Sequence, residues 1–536
     1  MTIANVQAAR PVDRRFLTAA AGMARSTALA VALGSGLPVV AAEFDIERRE
    51  GVPADASPFH GGIGGVSLRG GVTATAALPT AALPEKSPGS ELPIKEHAPP
   101  DMTPRLFAQF QLPSAEGGQP STEKLQKFLP YQYFIGVDPE MVFRRNDDLD
   151  SRTRDKSVTW LPSMSGIFTY RPFAWLETTT ELQYEKEFAV HEEEQFKTPR
   201  HASFLIDQFN FTFKEFTAPF EISVGRKGFE DERRSLLDGS MDGVSALLRQ
   251  GRFTGLGFIG RSARWSWDAA KRSVQPRDRI NTFYGYGDYR ASESVKFAGY
   301  GVVRDDRDKL EGTPITLGAR AFGTPTAEVN YWAEAAYQGG DDELAKPISA
   351  YAYDFGVTRR FFDVPLKPNF TLGWAMGSGD GNPDDRVNRT FKPTNLGSNE
   401  RRFAGIRQFR VFGETLDPDL SNIKIFTAGL GFRPDPQVSV DIVWHAYRLH
   451  RTHVPIQTAL TVEPGQVDSA LSKDLGTEWD LVINFNNFLG VRRLLFDVRV
   501  GRFRPGKAYI KNDGTNQAPI LRNPDNALAG VLILQW

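Results

Sequence analysis

Much of the chain after residue 130 alternates between apolar and polar positions. In SFLIDQFNFTFKEF, the side chains of Phe209, Phe211 and Phe213 alternate with polar ones. In GTEWDLVINF, apolar side chains alternate with Glu478 and Asp480. A period of two residues predicts β-strands that have one apolar face and one polar face.

The connections between these predicted strands alternate between short and long. We place the short ones near 171–173, 216–219, 250–252, 289–294, 322–327, 361–368, 433–437 and 486–493. We place the long ones near 146–163, 187–201, 227–242, 266–278, 305–313, 339–348, 378–422, 450–475 and 505–526. Seventeen connections predict about eighteen strands in this sequence. Tight turns at one end and long loops at the other are typical of a bacterial outer-membrane barrel, whereas a soluble sandwich has no reason to sort its loops this way.

The stretch ALAGVLILQW at 527–536 alternates in the same way and has an aromatic residue at its end. Because a barrel must pair its last strand with its first, we interpret this stretch as a closing strand. The predicted fold is therefore all-β, a transmembrane antiparallel up-and-down β-barrel of about eighteen strands over residues 131–536.

Two segments of different amino-acid composition precede the predicted barrel. Residues 1–42 contain four Arg, then an apolar run and the small residues VAA, which predicts a secretory signal peptide. Residues 43–130 are rich in Pro, Ala and Gly without periodicity, which predicts a flexible segment. Beyond residue 42 no apolar stretch reaches the roughly 18 residues that a spanning helix needs. The expected location is the bacterial outer membrane.

Composition adds mainly exclusions. The sequence has no Cys, so disulfides, catalytic thiols and thiolate metal sites are ruled out. Its formal net charge is −1, which gives no indication of nucleic-acid binding. Only the local placement of charge can indicate a ligand.

Several segments in order are similar to one known family. SVGRKGFEDERRSLLDGSMDGVSALLR (223–249), NYWAEAAYQGGDD (330–342), TLGWAMGSGDG (371–381) and RTFKPTNLGSNERRFAGIRQFRVFGETLDPDLSN (389–422) resemble segments of the alginate export family. The resemblance continues through DLGTEWDLVINF and DVRVGRFRPGKAY, but it does not cover 43–130. It implies an eighteen-stranded monomeric barrel through which an acidic polysaccharide crosses the outer membrane.

Candidate pore-lining residues come from alternation and from the resemblance. Alternation in DVRVGRF and GTEWDLVINF places Arg499, Glu478 and Asp480 on the polar face. The resemblance adds Arg226, which occupies an Arg position of the family, and Asp238 and Glu414, which match family acids. It also adds Arg402, Arg407 and Arg410, which lie in a long loop whose counterpart in the family folds partly into the pore. Strict alternation would direct Arg226 outward, so an inward orientation requires a bulge or the start of a loop. Arg suits a polyuronate path because its planar guanidinium pairs with carboxylates and stays charged.

The strand at 203–215 departs from the family pattern because it carries no Arg and only Lys214. With fewer cations on this part of the lumen wall, another acidic polysaccharide or small organic anions become alternative substrates. Trp332 lies on a polar face beside Glu334, and we consider it as a stacking surface for a sugar ring.

Motifs for metal binding and catalysis are incomplete. HEEEQ (191–195) lacks the second His of a zinc protease helix, and DGNPDD (380–385) lacks the Gly and Glu of a calcium loop. His445, His450 and His453 are too loosely spaced to predict a metal site, and His201 and His445 supply no convincing Ser–His pair. His445 has only Asp441 as an acid on its face. We therefore expect no metal, no cofactor and no enzymatic activity.

The function expected from the sequence is passive export of an anionic, alginate-like exopolysaccharide through an Arg-lined lumen. A porin for small organic anions is the alternative, and an outer-membrane hydrolase or a structural adhesin is less favoured. Expected partners are the polyuronate, outer-membrane lipid with lipopolysaccharide, and periplasmic proteins of an export complex, with no nucleic acid.

Overall fold

The structure is a computed structural model. It describes residues 131–536 except 154, 194–201, 215–218, 263–265, 269–272, 275–279, 308–311, 383, 453, 455, 462–471 and 510–523. The predicted segments 1–42 and 43–130 lie outside the described residues, as do His201, His453 and the end of HEEEQ.

Almost all of the regular structure is β-strand. The described strands, in chain order, are β1 (Tyr131–Val137), β2 (Glu140–Arg145), β3 (Ser157–Leu161), β4 (Ser163–Phe173), β5 (Leu176–Lys186), β6 (Phe188–Glu192), β7 (Ala202–Lys214), β8 (Phe220–Glu230), β9 (Asp238–Gln250), β10 (Phe253–Ser262), β11 (Ser266–Asp268), β12 (Ser273–Val274), β13 (Ile280–Ser292), β14 (Val295–Asp306), β15 (Thr313–Thr326), β16 (Val329–Asp341), β17 (Ala350–Arg360), β18 (Asn369–Gly377), β19 (Glu400–Arg401), β20 (Phe409–Arg410), β21 (Ile423–Asp435), β22 (Val438–Leu449), β23 (Asp474–Phe485), β24 (Leu495–Pro505) and β25 (Ala527–Gln535). Short 3-10 turns lie at Phe488–Gly490 and Lys507–Tyr509. Among the described residues no helix has the length and apolar character needed to cross a membrane.

One antiparallel sheet contains every described strand except β19 and β20, which form a separate hairpin. Strands that follow one another along the chain are paired throughout most of the sheet. β25 pairs with β24 on one side and with β2 on the other. Val137 and Trp536 also exchange two backbone hydrogen bonds of 2.9 Å. The predicted closing strand therefore has β2 and the last residue of β1 as its hydrogen-bonded neighbours.

The sheet has 23 strands within the described residues, so the expected number of eighteen was wrong as a strand count. Three of the extra strands arise where a strand is interrupted: Asp138–Pro139 separates β1 from β2, Pro162 separates β3 from β4, and Glu187 separates β5 from β6. Because β3 and β6 lie in the predicted long connections 146–163 and 187–201, the bounds of those two connections were wrong. Proline has no N–H to give to a ladder, which explains the first two breaks. The remaining two are the short β11 and β12, in the predicted long connection 266–278.

The alternation of short and long connections follows the prediction, with boundaries shifted by a few residues. The short connections are 174–175, 215–219, 251–252, 293–294, 327–328, 361–368, 436–437 and 486–494. Because neighbouring strands are antiparallel, all short connections lie at one end of the sheet and all long ones at the other. We call these the short-turn end and the long-loop end.

The two faces of the sheet differ in chemistry as the alternation predicted. On β7, Phe209 is 51% exposed and Phe211 is also exposed, whereas Asn210 and Thr212 are buried. On β23, Trp479 is 58% exposed. We call the face that carries the buried polar side chains the polar face. An exposed apolar face opposite a covered polar one is the arrangement of a lipid-facing barrel wall.

The positive φ of one glycine on β8 gives a test of the local backbone. Gly225 has φ +116°, and a Cβ there would lie 2.4 Å from the carbonyl oxygen of Phe209. We expect Gly225→Ala to lower the free energy of unfolding by about 1–3 kcal/mol, because both the left-handed backbone and the contact become strained. The measurement is the urea midpoint of the refolded protein in lipid. Gly166→Ala is the matched control, because a Cβ there has no atom within 4 Å. Equal midpoints for the two variants would contradict the assigned strain.

Candidate functional site

The long loop 378–422, between β18 and β21, lies against the polar face of the sheet. Its residues 394–399 bind the 231–237 loop, which connects β8 to β9. The backbone N–H of Asp238 donates to Leu396 O at 2.6 Å, and that of Asn399 donates to Arg234 O at 2.9 Å. The Thr394 hydroxyl donates to Leu236 O, in the 231–237 loop, at 2.6 Å. These contacts fix residues 394–399 of the long loop to the 231–237 loop and to the first residue of β9.

The middle of the long loop is the β19–β20 hairpin, which extends to the short-turn end. Arg407 Nε donates to Asp497 Oδ2 at 2.9 Å, and Ile406 N donates to Ser439 Oγ at 3.1 Å. Ser439 is the second residue of β22, and Asp497 is the third of β24. Both strands begin directly after short connections. The tip of the hairpin, residues 402–408, therefore reaches the end of the sheet opposite to the one where the long loop starts.

The last part of the long loop is held by one carboxylate on β23. Glu478 accepts hydrogen bonds from the backbone N–H of Thr415 at 2.6 Å and of Leu416 at 3.0 Å. The Tyr447 hydroxyl lies 2.8 Å from Phe412 O and 3.1 Å from Glu478 Oε2. A buried apolar cluster surrounds this attachment and includes Phe403, Phe409, Phe412, Leu416, Ile423, Ile425, Val443, Val482 and Phe503.

A compact group of charges lies where the 231–237 loop meets β15–β17. We call it the Arg320 cluster; its members are Asp231, Glu232, Arg233, Arg320, Glu334, Asp354 and Arg401. Arg320 is 2.5 Å from Asp231 and 3.0 Å from Glu334. Arg401, from the long loop, lies 2.8 Å from Asp354, which also pairs with Arg233.

The acids of the Arg320 cluster include one with a strongly altered acidity. Burial raises the pKa of the Glu232 carboxyl to about 7, although Arg320 and a hydrogen bond from Tyr286 act in the opposite direction. Taken together the cluster has three basic and four acidic side chains. Its arginines are therefore compensated by acids of the wall and of the 231–237 loop.

A second charged group is centred on Glu400, from the hairpin. We call it the Glu400 cluster; its members are Arg234, Asp238, Glu400 and Arg499. Glu400 lies 3.1 Å from Arg499 and 3.8 Å from Arg234. Burial would raise the pKa of Glu400, but Arg499, Arg410 and Arg234 outweigh it and lower that pKa below its usual range. Glu400 is thus an ionised partner brought by the long loop to arginines of the wall.

Most of the residues singled out from the sequence meet in this region. Arg499 and Asp238 belong to the Glu400 cluster, and Glu478 anchors the loop. Arg410 lies 3.2 Å from Asp417 and donates its backbone N–H to Glu414 at 3.1 Å. The residues that lie together are Asp238, Arg407, Arg410, Glu414, Glu478, Asp480 and Arg499. Arg402 lies in the hairpin tip and is partly buried.

Arg226 is placed away from that group, on β8. Its guanidinium binds Asp242 through two hydrogen bonds, of 2.6 and 2.9 Å, and donates a third to Ile206 O at 2.8 Å. The ladders on both sides of β8 run through Gly225 and Arg226 without a register shift, so the bulge that an inward Arg226 requires is not present, and Arg226 pairs in register with the exposed Phe209. Lys214 is also separate and pairs with Glu177 at 2.8 Å.

Trp332, which we considered as a stacking surface for a sugar ring, contacts side chains of the protein itself. Its ring stacks on Phe403 of the hairpin at 5.9 Å and 8°, and its Nε1 donates to Asp354 at 2.8 Å. The Arg233 guanidinium also lies over the ring. Trp332 faces the long loop, and its stacking partner comes from the protein itself.

The surroundings of His445 also differ from the expectation. Asp441 seemed to be the only acid on its face, but His445 Nε2 lies 3.2 Å from Asp480 and its Nδ1 lies 2.9 Å from the Thr427 hydroxyl. All three side chains are buried. In the calcium-like segment, Asp380 lies 3.5 Å from Arg389. Within the described residues no group of His, Asp and Glu side chains could hold a metal ion.

Sequence reasoning missed several members of the two clusters. Arg320, Glu334 and Asp354 alternate with apolar residues on β15–β17, so their face could have been predicted from periodicity. Arg233, Arg234 and Glu400 lie in loops. No pattern in the sequence indicates which wall residues those loops contact.

A family model described as alginate export matches residues 129–520, more than half of the chain. The chain belongs to the alginate export family. It is accordingly a β-barrel channel protein of the bacterial outer membrane, as the sequence predicted.

Several solved structures of outer-membrane proteins are similar to this chain at sequence identities between 9% and 12%. The outer membrane protein OpdK of Pseudomonas aeruginosa matches with 10% identity and a TM-score of 0.48, over 76% of this chain and 99% of its own. A BenF-like porin from Pseudomonas fluorescens matches with 9% identity and a TM-score of 0.47, over 76% and 98%. OccK2 (OpdF) of P. aeruginosa, solved in complex with glucuronate, has 12% identity and a TM-score of 0.48, over 76% and 97%. These similarities carry no conclusion about what this chain transports.

The attachment at Glu478 gives a second prediction. Glu478→Ala removes the acceptor of two buried backbone N–H groups, which should cost about 2–4 kcal/mol and loosen the end of the long loop. We expect faster proteolysis within 400–416 in the refolded barrel. Glu181→Gln is the control, because Glu181 also lies on the polar face but binds Gln208 of the wall. Unchanged proteolysis in Glu478→Ala would show that this carboxylate does not hold the loop.

Proposed function

We propose that the chain forms a closed barrel of eighteen membrane-crossing strands that exports an anionic, alginate-like polysaccharide by diffusion. Joining β1 to β2, β3 to β4 and β5 to β6 across their breaks, and leaving out β11 and β12, reduces the 23 strands to eighteen. The pairing of β25 with β2 supports closure. The polar face is then the lumen.

The observation that carries the proposal is the family membership over residues 129–520. The lumen is compatible with a polyanion because it combines guanidinium groups with interleaved carboxylates. Arginine can pair with a carboxylate through two hydrogen bonds, and acids that compete for it keep any single contact weak. A polymer must be attracted by such a wall without being held at one place.

The long loop explains how a wide barrel can avoid leakage. The hairpin crosses from the long-loop end to the short-turn end and attaches to β17, β22 and β24. It therefore narrows the path on that side of the lumen. We infer that the polymer passes beside the hairpin, which acts as a fixed constriction.

The same narrowing favours one alternative, a porin for small organic anions. A constricted lumen with compensated arginines suits a small carboxylate as well as an extended chain. The remaining parts of the proposal are a monomeric, non-enzymatic barrel without cofactor, a cleaved signal at 1–42, and periplasmic export proteins as partners.

The test is planar-bilayer conductance of the refolded mature protein. We expect an anion-selective current that polyuronate blocks, because carboxylates enter the lumen and exclude small ions. Neutral dextran of the same length is the control and should block much less. An anion current indifferent to polyuronate would favour the small-anion porin, and the absence of any channel would contradict both.

A further inference from the structure

The arginines of the two clusters are poorly placed to meet a polymer from solution. The side chains of Arg320 and Arg499 are 0% and 7% exposed, and each is paired with carboxylates. Replacing such partners by a passing carboxylate would leave buried acids unpaired, which is costly. These arginines therefore hold the long loop and the wall together.

A different set of basic side chains lies on the polar face toward the short-turn end. We call it the basic ledge, and it consists of Arg171, Lys214, Lys227 and Arg249, from β4, β7, β8 and β9. The side chains of Arg171 and Arg249 are 43% and 31% exposed, and that of Lys214 is partly exposed.

Two acids are interleaved with these four basic groups. Glu177 lies 2.5 Å from Arg171 and 2.8 Å from Lys214, and Glu221 lies 2.7 Å from Arg249. The ammonium group of Lys227 donates to the Ser223 hydroxyl at 2.9 Å, which draws it toward the same end. The ledge with these two acids therefore has a net charge of +2, whereas the Arg320 cluster has an excess of acids.

The ledge is continuous across the sheet. Lys214 pairs in register with Glu221, and the backbone N–H of Arg249 donates to Pro219 O at 3.2 Å. Arg171, Lys214 and Arg249 each lie within three residues of a short connection. The hairpin, by contrast, binds β17, β22 and β24.

We propose that the basic ledge is the site where an anionic chain of sugar carboxylates first binds as it enters the lumen from the short-turn end. This inference rests on the proposed export function and adds the place and side of recognition. Exposed cations at a mouth raise the local concentration of a polyanion and its association rate, and salt weakens the effect. Because the net charge of +2 is left over after Glu177 and Glu221 are counted, the ledge can attract the chain without giving up its contacts with these two acids.

The experiment measures polyuronate block from each side of a bilayer separately. The wild type and a triple variant, Lys214→Gln, Lys227→Gln and Arg249→Gln, both carry Glu293→Cys in the 293–294 turn as an orientation label. The chain has no other Cys, so a membrane-impermeant thiol reagent attached there identifies the short-turn end. We expect the triple variant to reduce the on-rate of block from the short-turn side by about tenfold at low salt. At about 1 M salt, where the Debye length falls to about 3 Å, the difference should disappear.

A variant with the same change of charge at the other end is the control. Arg152→Gln, Arg307→Gln and Arg389→Gln remove three exposed cations from long connections and should leave block from the short-turn side unchanged. If polyuronate blocks the wild type and the ledge variant with the same on-rate, the inference is overturned and the export proposal still stands. If polyuronate blocks the wild type from neither side, the export proposal itself is overturned.

Discussion

The structure depends on the pairing of buried guanidinium groups with carboxylates that come from distant parts of the chain. An unpaired charge taken out of water costs several kcal/mol, so every arginine on the covered part of the polar face needs an acid nearby. Arg499 pairs with Glu400 of the hairpin, and Arg320 pairs with Asp231 of the 231–237 loop. The wall and its loops are stable in this arrangement only together.

This constraint separates two roles for basic residues that look alike in the sequence. Arginines that hold a loop must be buried and compensated, whereas cations that attract a polymer must stay accessible. Arg407 illustrates the first role, since its guanidinium binds Asp497 on the wall. Arg249 illustrates the second, since it is partly exposed near the short-turn end. The absence of Arg from β7 is therefore offset by basic residues of β4, β8 and β9.

Periodicity predicted the features that depend on one strand at a time. The exposed and covered faces of β7 and β23 and the order of short and long connections follow from local pattern, because lipid and lumen demand opposite chemistry of alternate residues. The strand break at Pro139 was missed although proline signals it, and β3 was missed because it lies within the predicted connection 146–163. The partners of Trp332 and His445 could not be predicted, because Phe403 comes from a loop and Asp480 from a neighbouring strand whose register no local pattern reports.

The central claim is that the hairpin stays attached along the lumen while the polymer passes beside it. A Cβ at Gly405 would lie 3.2 Å from Ser439 Oγ, so Gly405→Cys with Ser439→Cys should form a disulfide in a chain that otherwise has no Cys. The measurement is bilayer current of this variant before and after reduction. The account predicts that the cross-linked barrel still conducts and is still blocked by polyuronate. A cross-linked barrel that is closed, and opens on reduction, would contradict it.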